Sequence, residues 1–171
     1  MSLWDFFNFG KSTTPEQVSG LPSKLGELLP ELDDQSRAKI AAISGLLACV
    51  AHTDFNVCDL ERGSIEKSLL TWCKLSEEQA KAVATLAIEE VKALASLDVH
   101  HYTNTLDKIL NDEERVGVLE MLFQLAASDE DVDIEESEFI RHVGHGLRLD
   151  HHEFVAARAT VLAHLKILKK D

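Results

Sequence analysis

The sequence predicts an all-α protein: a single domain of about seven to eight helices, built from two similar helical halves with pseudo-two-fold symmetry. Two observations support this class. Apolar residues recur at helical spacing from about residue 35 onward, and no stretch alternates with the period of two that is typical of a strand. A short acidic turn between two such apolar stretches occurs twice, at an offset of 75 residues (129 minus 54), which indicates an internal repeat.

The N-terminal part, residues 1–34, is predicted to lie outside the helical domain. It begins with an aromatic-rich stretch at residues 3–9, for which we predict a helix near 2–8. All three prolines fall within residues 10–34, and this stretch is typical of an irregular linker that can include one short helix around 23–29. We therefore assign residues 35–171 to the helical domain.

The first half of the repeat, about residues 36–97, contains predicted helices at 35–53, 59–73 and 76–97. Apolar stripes with helical spacing predict the first and third of these: Ile40, Ile43, Leu47 and Val50, then Val83, Ala87, Val91 and Leu94. The third helix also begins with a capping box, in which Ser76 and Gln79 are each expected to accept the other's backbone N–H. The middle helix follows the first acidic turn directly.

A short helix at 101–110 joins the halves, and the second half, about residues 111–168, repeats the order with helices at 112–127, 134–146 and 151–168. Their apolar stripes are Leu119, Leu122, Phe123 and Ala126, then Phe139, Ile140 and Val143, then Phe154, Val161, Leu162, Leu165 and Leu168. A capping box marks each start, formed by the pairs Asn111 and Glu114, Asp133 and Glu136, and Asp150 and Glu153.

Charge and cysteine usage limit the function classes. Lys plus Arg total 17 against 30 Asp plus Glu, so the net charge of −13 disfavours nucleic acid and anionic membranes and fits a cation or a basic protein partner. Three cysteines without a Cys-x-x-Cys pair favour reduced thiols and a cytoplasmic location. No apolar run reaches the roughly 20 residues of a membrane span. For the aromatic residues 3–9, peripheral membrane contact, partner binding and packing against this domain or a second copy in a homodimer stay open.

The acidic turns carry the candidate chemistry. Asp54 corresponds to Asp129, Asn56 to Asp131 and Glu61 to Glu136. If the halves pack about a two-fold axis, these oxygen ligands face one another and suit a hard divalent cation, Ca²⁺ or Mg²⁺. The candidate ligands are therefore Asp54, Asn56, Glu61, Asp129, Asp131, Asp133 and Glu136.

Three alternatives bear on this site. The carboxylates can serve only to cap helices and to bond the turn backbone. An isolated EF-hand is disfavoured because its Gly and Glu positions are Ile134 and Ile140. No nucleophile elbow, P-loop or His-Glu-x-x-His motif is present, so we expect no enzymatic activity.

The repeated pattern Ala-x-x-Asp-x-[Asn/Asp]-Val-x-x-x-Glu, at residues 51–61 and 126–136, resembles the TerB-like (tellurite-resistance protein B) family. The resemblance covers roughly residues 36–168, and the glycine typical of the family turn is replaced by Phe55 and Glu130. It implies an all-helical domain of two similar halves without established enzymatic activity. It also implies a link with resistance to tellurite and other chemical stress, through divalent-cation binding or protein interaction.

Overall fold

The computed structural model describes residues 20–53, 57–94, 99–128 and 132–168, and these residues form helices and turns without any strand. The predicted all-α class and single domain are confirmed. The described helices are α1 (Leu21–Leu28), α2 (Asp34–Ala51), α3 (Asp59–Cys73), α4 (Glu77–Leu94), α5 (Val99–Ile109), α6 (Asp112–Ala126), α7 (Ile134–Gly146) and α8 (His151–Leu168). The helix predicted at residues 2–8 lies outside the described residues.

The helix starts follow the capping residues of the sequence. All four predicted capping boxes form, with both backbone N–H groups bonded in each, at Ser76, Asn111, Asp133 and Asp150. These boxes satisfy N–H groups that lack a partner within the helix, and this is why the helix starts could be predicted accurately.

Helix α2 is the centre of the domain. Twelve of its eighteen residues are buried, and it contacts α1, α3, α4, α5, α6 and α7. A helix that is apolar on all sides must be surrounded by others. Helix α6 packs on α2 and also contacts α3, α7 and α8.

One continuous core holds the residues that the stripes predict. Leu47, Leu119, Ile43, Phe123 and Ile140 are buried in a single cluster, and Phe139 is half-buried against it. Helix α1 and the residue that follows it, within the stretch expected to be a linker, add three fully buried leucines to the same cluster: Leu21, Leu25 and Leu29.

Helix α5 packs closely against two glycines. A Cβ built at Gly45 on α2 would lie 2.5 Å from the ring of Tyr102, and one at Gly146 on α7 would lie 2.7 Å from Thr103. Such distances are far inside van der Waals contact, so the missing Cβ atoms let α5 approach both helices.

The two halves share several local features. Lys74 and Arg148 both adopt a left-handed backbone conformation, with φ of 53° and 60°. They lie 74 residues apart (148 minus 74), the same offset that relates the capping residues Ser76 and Asp150 (150 minus 76). The contacts correspond as well, since α2 packs on α3 and α4 while α6 packs on α7 and α8. The pseudo-two-fold axis itself stays a prediction.

Within the described residues, no helix combines the length and the apolar character needed to cross a bilayer.

Candidate functional site

The structure describes three of the seven predicted ligands. Glu61, Asp133 and Glu136 lie in the first turns of α3 and α7 or just before them. The other four, Asp54, Asn56, Asp129 and Asp131, lie outside the described residues.

Helix α3 begins with a capping box built on a cysteine. The Cys58 Sγ accepts the Glu61 N–H at 3.5 Å, and Glu61 Oε2 accepts the Cys58 N–H at 2.7 Å. Sulfur is a weak acceptor, so the shorter bond to the Glu61 carboxylate is the stronger half of this cap. Glu61 is only 7% exposed. Its carboxylate therefore lies inside the protein, at the end of the first acidic turn.

Helix α7 begins with the corresponding box. Asp133 Oδ1 accepts the Glu136 N–H at 2.7 Å, and Glu136 Oε2 accepts the Asp133 N–H at 3.0 Å. Asp133 is exposed. Both glutamates thus reach back toward the acidic turns, and the capping role that we predicted as an alternative is present at all three described ligands.

The start of α3 and the end of α6 lie at the same end of this helix pair, because α3 and α6 run antiparallel. The ring of Trp72, near the end of α3, lies against Gly117, near the start of α6. At the helical rise of 1.5 Å per residue, Leu60 lies about 18 Å from Trp72 along α3. Ser128, just after the end of α6, lies about 17 Å from Gly117 along that helix. The two segments therefore extend in the same direction from the Trp72–Gly117 contact over a similar length. Leu60, two residues after the cap at Cys58, and Ser128, which precedes Asp129, line one groove.

This α3–α6 groove has a volume of about 550 Å³ and is closed on one side by α8. Its lining includes Leu60, Ser64, Trp72, Gln124, Ser128 and Val161. Leu60 and Trp72 are exposed there, at 62% and 40%. The buried Ser128 Oγ has no hydrogen-bond partner among the described residues.

Sequence reasoning missed this groove. The signal was present, because Leu60, Ser64 and Trp72 recur at multiples of four along α3 and so share one face of that helix. The pairing of this face with α6 depends on contacts between the halves, which the spacing does not reveal.

Among the described residues, no three His, Cys, Asp or Glu side chains are grouped so that they could hold a metal ion. Four of the seven predicted ligands lie outside this set, so the predicted cation site stays a prediction.

The thiols of α2 and α3 are packed against the core. Cys49 and Cys73 are half-buried beside it. Burial raises the pKa of the Cys73 thiol to about 11. Cys73 is therefore protonated at neutral pH and is a poor nucleophile.

Comparison with known proteins adds one assignment. The model of the family described as tellurite resistance protein TerB matches residues 39–159. No curated protein and no solved structure matches the chain. The matched region contains most of the core helix α2, both acidic turns and the beginning of α8. Because the match covers more than two thirds of the sequence, the chain belongs to the TerB family.

Proposed function

We propose that this protein is a non-enzymatic binding module that responds to divalent cations and takes part in resistance to tellurite or other chemical stress. The link with resistance is supported by family membership. The cation is Ca²⁺ or Mg²⁺, bound by carboxylates from both acidic turns, and its binding changes how the domain contacts a protein partner.

One observation carries this proposal: Leu60 and Ser128 line the same groove. Leu60 lies just after the first acidic turn and Ser128 just before the second. The described residues that flank the two turns thus line a common groove, although Leu60 and Ser128 are 68 residues apart in the chain (128 minus 60), and this arrangement supports a site shared by both turns. Neighbouring carboxylates repel one another unless a cation or a basic group compensates them.

The capping boxes are compatible with an additional ligand. A carboxylate can accept several contacts through its two oxygens, so the backbone bond of Glu61 or Glu136 does not exhaust the group. Hard oxygen ligands suit Ca²⁺ and Mg²⁺ better than softer metals. The net charge of −13 raises the local concentration of any cation.

Isothermal titration of the full chain with Ca²⁺ and with Mg²⁺ tests the proposal. We expect saturable binding to the wild type, and weaker or no binding to the double variant Asp54→Asn/Asp129→Asn. The matched control is Glu77→Gln/Glu113→Gln, which removes two exposed carboxylates, one from each half. If the control loses binding as well, the titration heat reflects only the overall negative charge of the protein and not a specific site. A wild type that binds neither ion rejects the cation site.

The alternative is a metal-free interaction domain that docks through its acidic face or through the aromatic residues 3–9. The capping bonds favour it, because they account for Glu61, Asp133 and Glu136 without any ion. It predicts partner binding that is insensitive to chelation with EDTA but weakened by salt, because exposed charges are screened.

A further inference from the structure

A second groove lies between α1 and α4. The two helices run antiparallel, because Lys24 pairs with Glu90 near one end and Gln79 Nε2 donates to Glu31 Oε1 at 2.6 Å near the other. The α1–α4 groove has a volume of about 820 Å³. Its lining includes Lys24, Leu28, Lys81, Ala82, Leu86 and Glu89.

The groove combines apolar and charged groups. Leu28, Ala82 and Leu86 supply its apolar surface, and Leu28 is 37% exposed while Leu86 is half-buried. Lys24 and Lys81 line it together with the carboxylates of Glu27, Glu78 and Glu89, and Lys24 already pairs with Glu90. Such a surface suits a segment that is mostly apolar and carries little charge.

The described chain begins at one end of this groove. The Gly20 N–H donates to Glu90 Oε2 at 3.2 Å, so the start of α1 is held against α4. Glu90 also pairs with Lys24. Gly20, the first described residue, therefore lies at the end of α4 that carries Glu89, a lining residue of the groove.

Residues 3–9 of the same chain have the matching composition. Five of these seven residues are large and apolar, and Asp5 is their only charged residue. Each buried aromatic ring removes about 150–250 Å² from water, so a segment this rich in aromatics gains from an apolar surface. The groove offers such an apolar surface close to Gly20, where the described chain begins.

The linker, residues 10–19, is long enough for residues 3–9 to reach any part of the α1–α4 groove. Residues 10–19 can span at most about 35 Å when extended. Along α4, the groove extends from Glu78 to Glu89, which corresponds to about 17 Å at the rise of an α-helix. A tether of this length gives an effective concentration on the order of millimolar, so weak contacts suffice.

We propose that residues 3–9 bind in the α1–α4 groove of their own molecule. The aromatic rings lie against Leu28 and Leu86, and Asp5 lies near Lys81. The segment covers an apolar surface that would otherwise be exposed.

Trp4 provides the test, since the chain has only two tryptophans, Trp4 and Trp72. In the full chain with Trp72→Phe, the emission maximum and acrylamide quenching report on Trp4 alone. We expect Trp4 to be shielded, with a quenching constant several-fold below that of free indole. Leu28→Glu should remove the shielding. Leu60→Glu should leave it unchanged, because Leu60 lies in the α3–α6 groove.

A second measurement avoids the Trp72 substitution. Amide chemical shifts of the full chain, compared with those of Trp4→Ala/Phe7→Ala, should change on the facing sides of α1 and α4. Changes around the α3–α6 groove instead, or in neither groove, would overturn the proposal, as would a Trp4 that is fully quenched in every variant.

Two further outcomes reject it in favour of another occupant. Shielding that is lost on dilution, together with dissociation of a dimer in sedimentation, assigns the groove to a second copy. Shielding that arises only with phosphatidylcholine or phosphatidylglycerol vesicles assigns residues 3–9 to a membrane surface.

Discussion

The indole of Trp72 on α3 lies against the backbone of Gly117 on α6, and a Cβ at Gly117 would come within 2.6 Å of its ring. This contact joins the two halves of the chain at one end of the α3–α6 pair. Leu60 and Ser128 line one groove at the other end, so α3 and α6 run antiparallel and the end of α6 lies on the same side as the start of α3. The close approach of the two helices therefore depends on a residue without a side chain.

Gly117→Ala should lower the free energy of unfolding relative to Gly63→Ala. Both substitutions remove a helical glycine, which alone stabilises by about 0.5–1 kcal/mol. A Cβ at Gly63 meets nothing within 4 Å, so Gly63→Ala should show this increase in the free energy of unfolding. At Gly117 the overpacking against Trp72 should cost about 1–3 kcal/mol. Urea unfolding measures both, and the difference should shrink when Trp72 is replaced by Phe; equal effects at the two glycines would contradict the contact.

Leu47→Ala and Leu119→Ala should each cost about 2–5 kcal/mol, because both side chains are fully buried. Leu47 lies on α2 and Leu119 on α6, so the two variants sample the central helices of both halves. Chemical denaturation provides the measurement. Leu60→Ala, at a side chain that is mostly exposed, is the control and should change stability by less than about 1 kcal/mol.

Asp107 should be more important for stability than its exposed partner Arg148. The buried Asp107 carboxylate lies 3.2 Å from Arg115 Nη2 and 2.9 Å from Arg148 Nε, and Arg115 also donates to the Asp107 carbonyl oxygen at 2.7 Å. Asp107→Ala removes the carboxylate that faces the largely buried Arg115, which should cost about 3 kcal/mol. Arg148 is 77% exposed, so Arg148→Ala should cost about 1 kcal/mol or less. In thermal melting, Asp107→Ala should lower the melting temperature more than Arg148→Ala does.

Acid should destabilise the protein partly through its helix caps. A backbone N–H holds the pKa of Asp33, Glu114 and Asp150 below the ordinary values of 3.8 for Asp and 4.5 for Glu, and Lys39 contributes at Glu114. At these groups the unfolded chain binds protons more readily than the folded protein does. The ionised caps therefore stabilise the fold fully at a pH above the ordinary pKa values, and this contribution is lost as the pH falls through the lowered folded-state pKa.

Asp150→Asn tests this effect, because Asn still caps a helix but does not titrate. Its melting temperature should fall less steeply with decreasing pH than that of the wild type. Glu77→Gln, an exposed position in the first turn of α4, should retain the wild-type slope. If the two variants have the same slope, the Asp150 cap does not contribute.

Divalent cations should raise the melting temperature if the acidic turns share a site. At a free ion concentration of one hundred times the dissociation constant, binding stabilises the native state by about 2.7 kcal/mol. Millimolar Ca²⁺ or Mg²⁺ should therefore raise the melting temperatures of the wild type and of Glu77→Gln/Glu113→Gln by the same amount. The melting temperature of Asp54→Asn/Asp129→Asn should not change with the ion. A wild-type melting temperature that is independent of the ion would leave helix capping as the sufficient explanation of the repeated carboxylates.

The sequence alone determined the secondary structure and the repeated acidic motif. Helix starts such as those at Asn111 and Asp133 were predictable because a capping box is local: its two side chains and two N–H groups lie within four residues. The core positions Leu47 and Leu119 were predictable because helical spacing alone places them on apolar stripes.

Only the tertiary structure decided how the halves meet. The contact of Trp72 with Gly117, the burial of Leu21 and Leu25, and the shared lining of Leu60 and Ser128 join residues that are distant in sequence. Such contacts depend on shape complementarity between whole helices, and the absence of a Cβ at one position can set the approach of two helices. Neither the period of an apolar stripe nor a count of carboxylates contains that information.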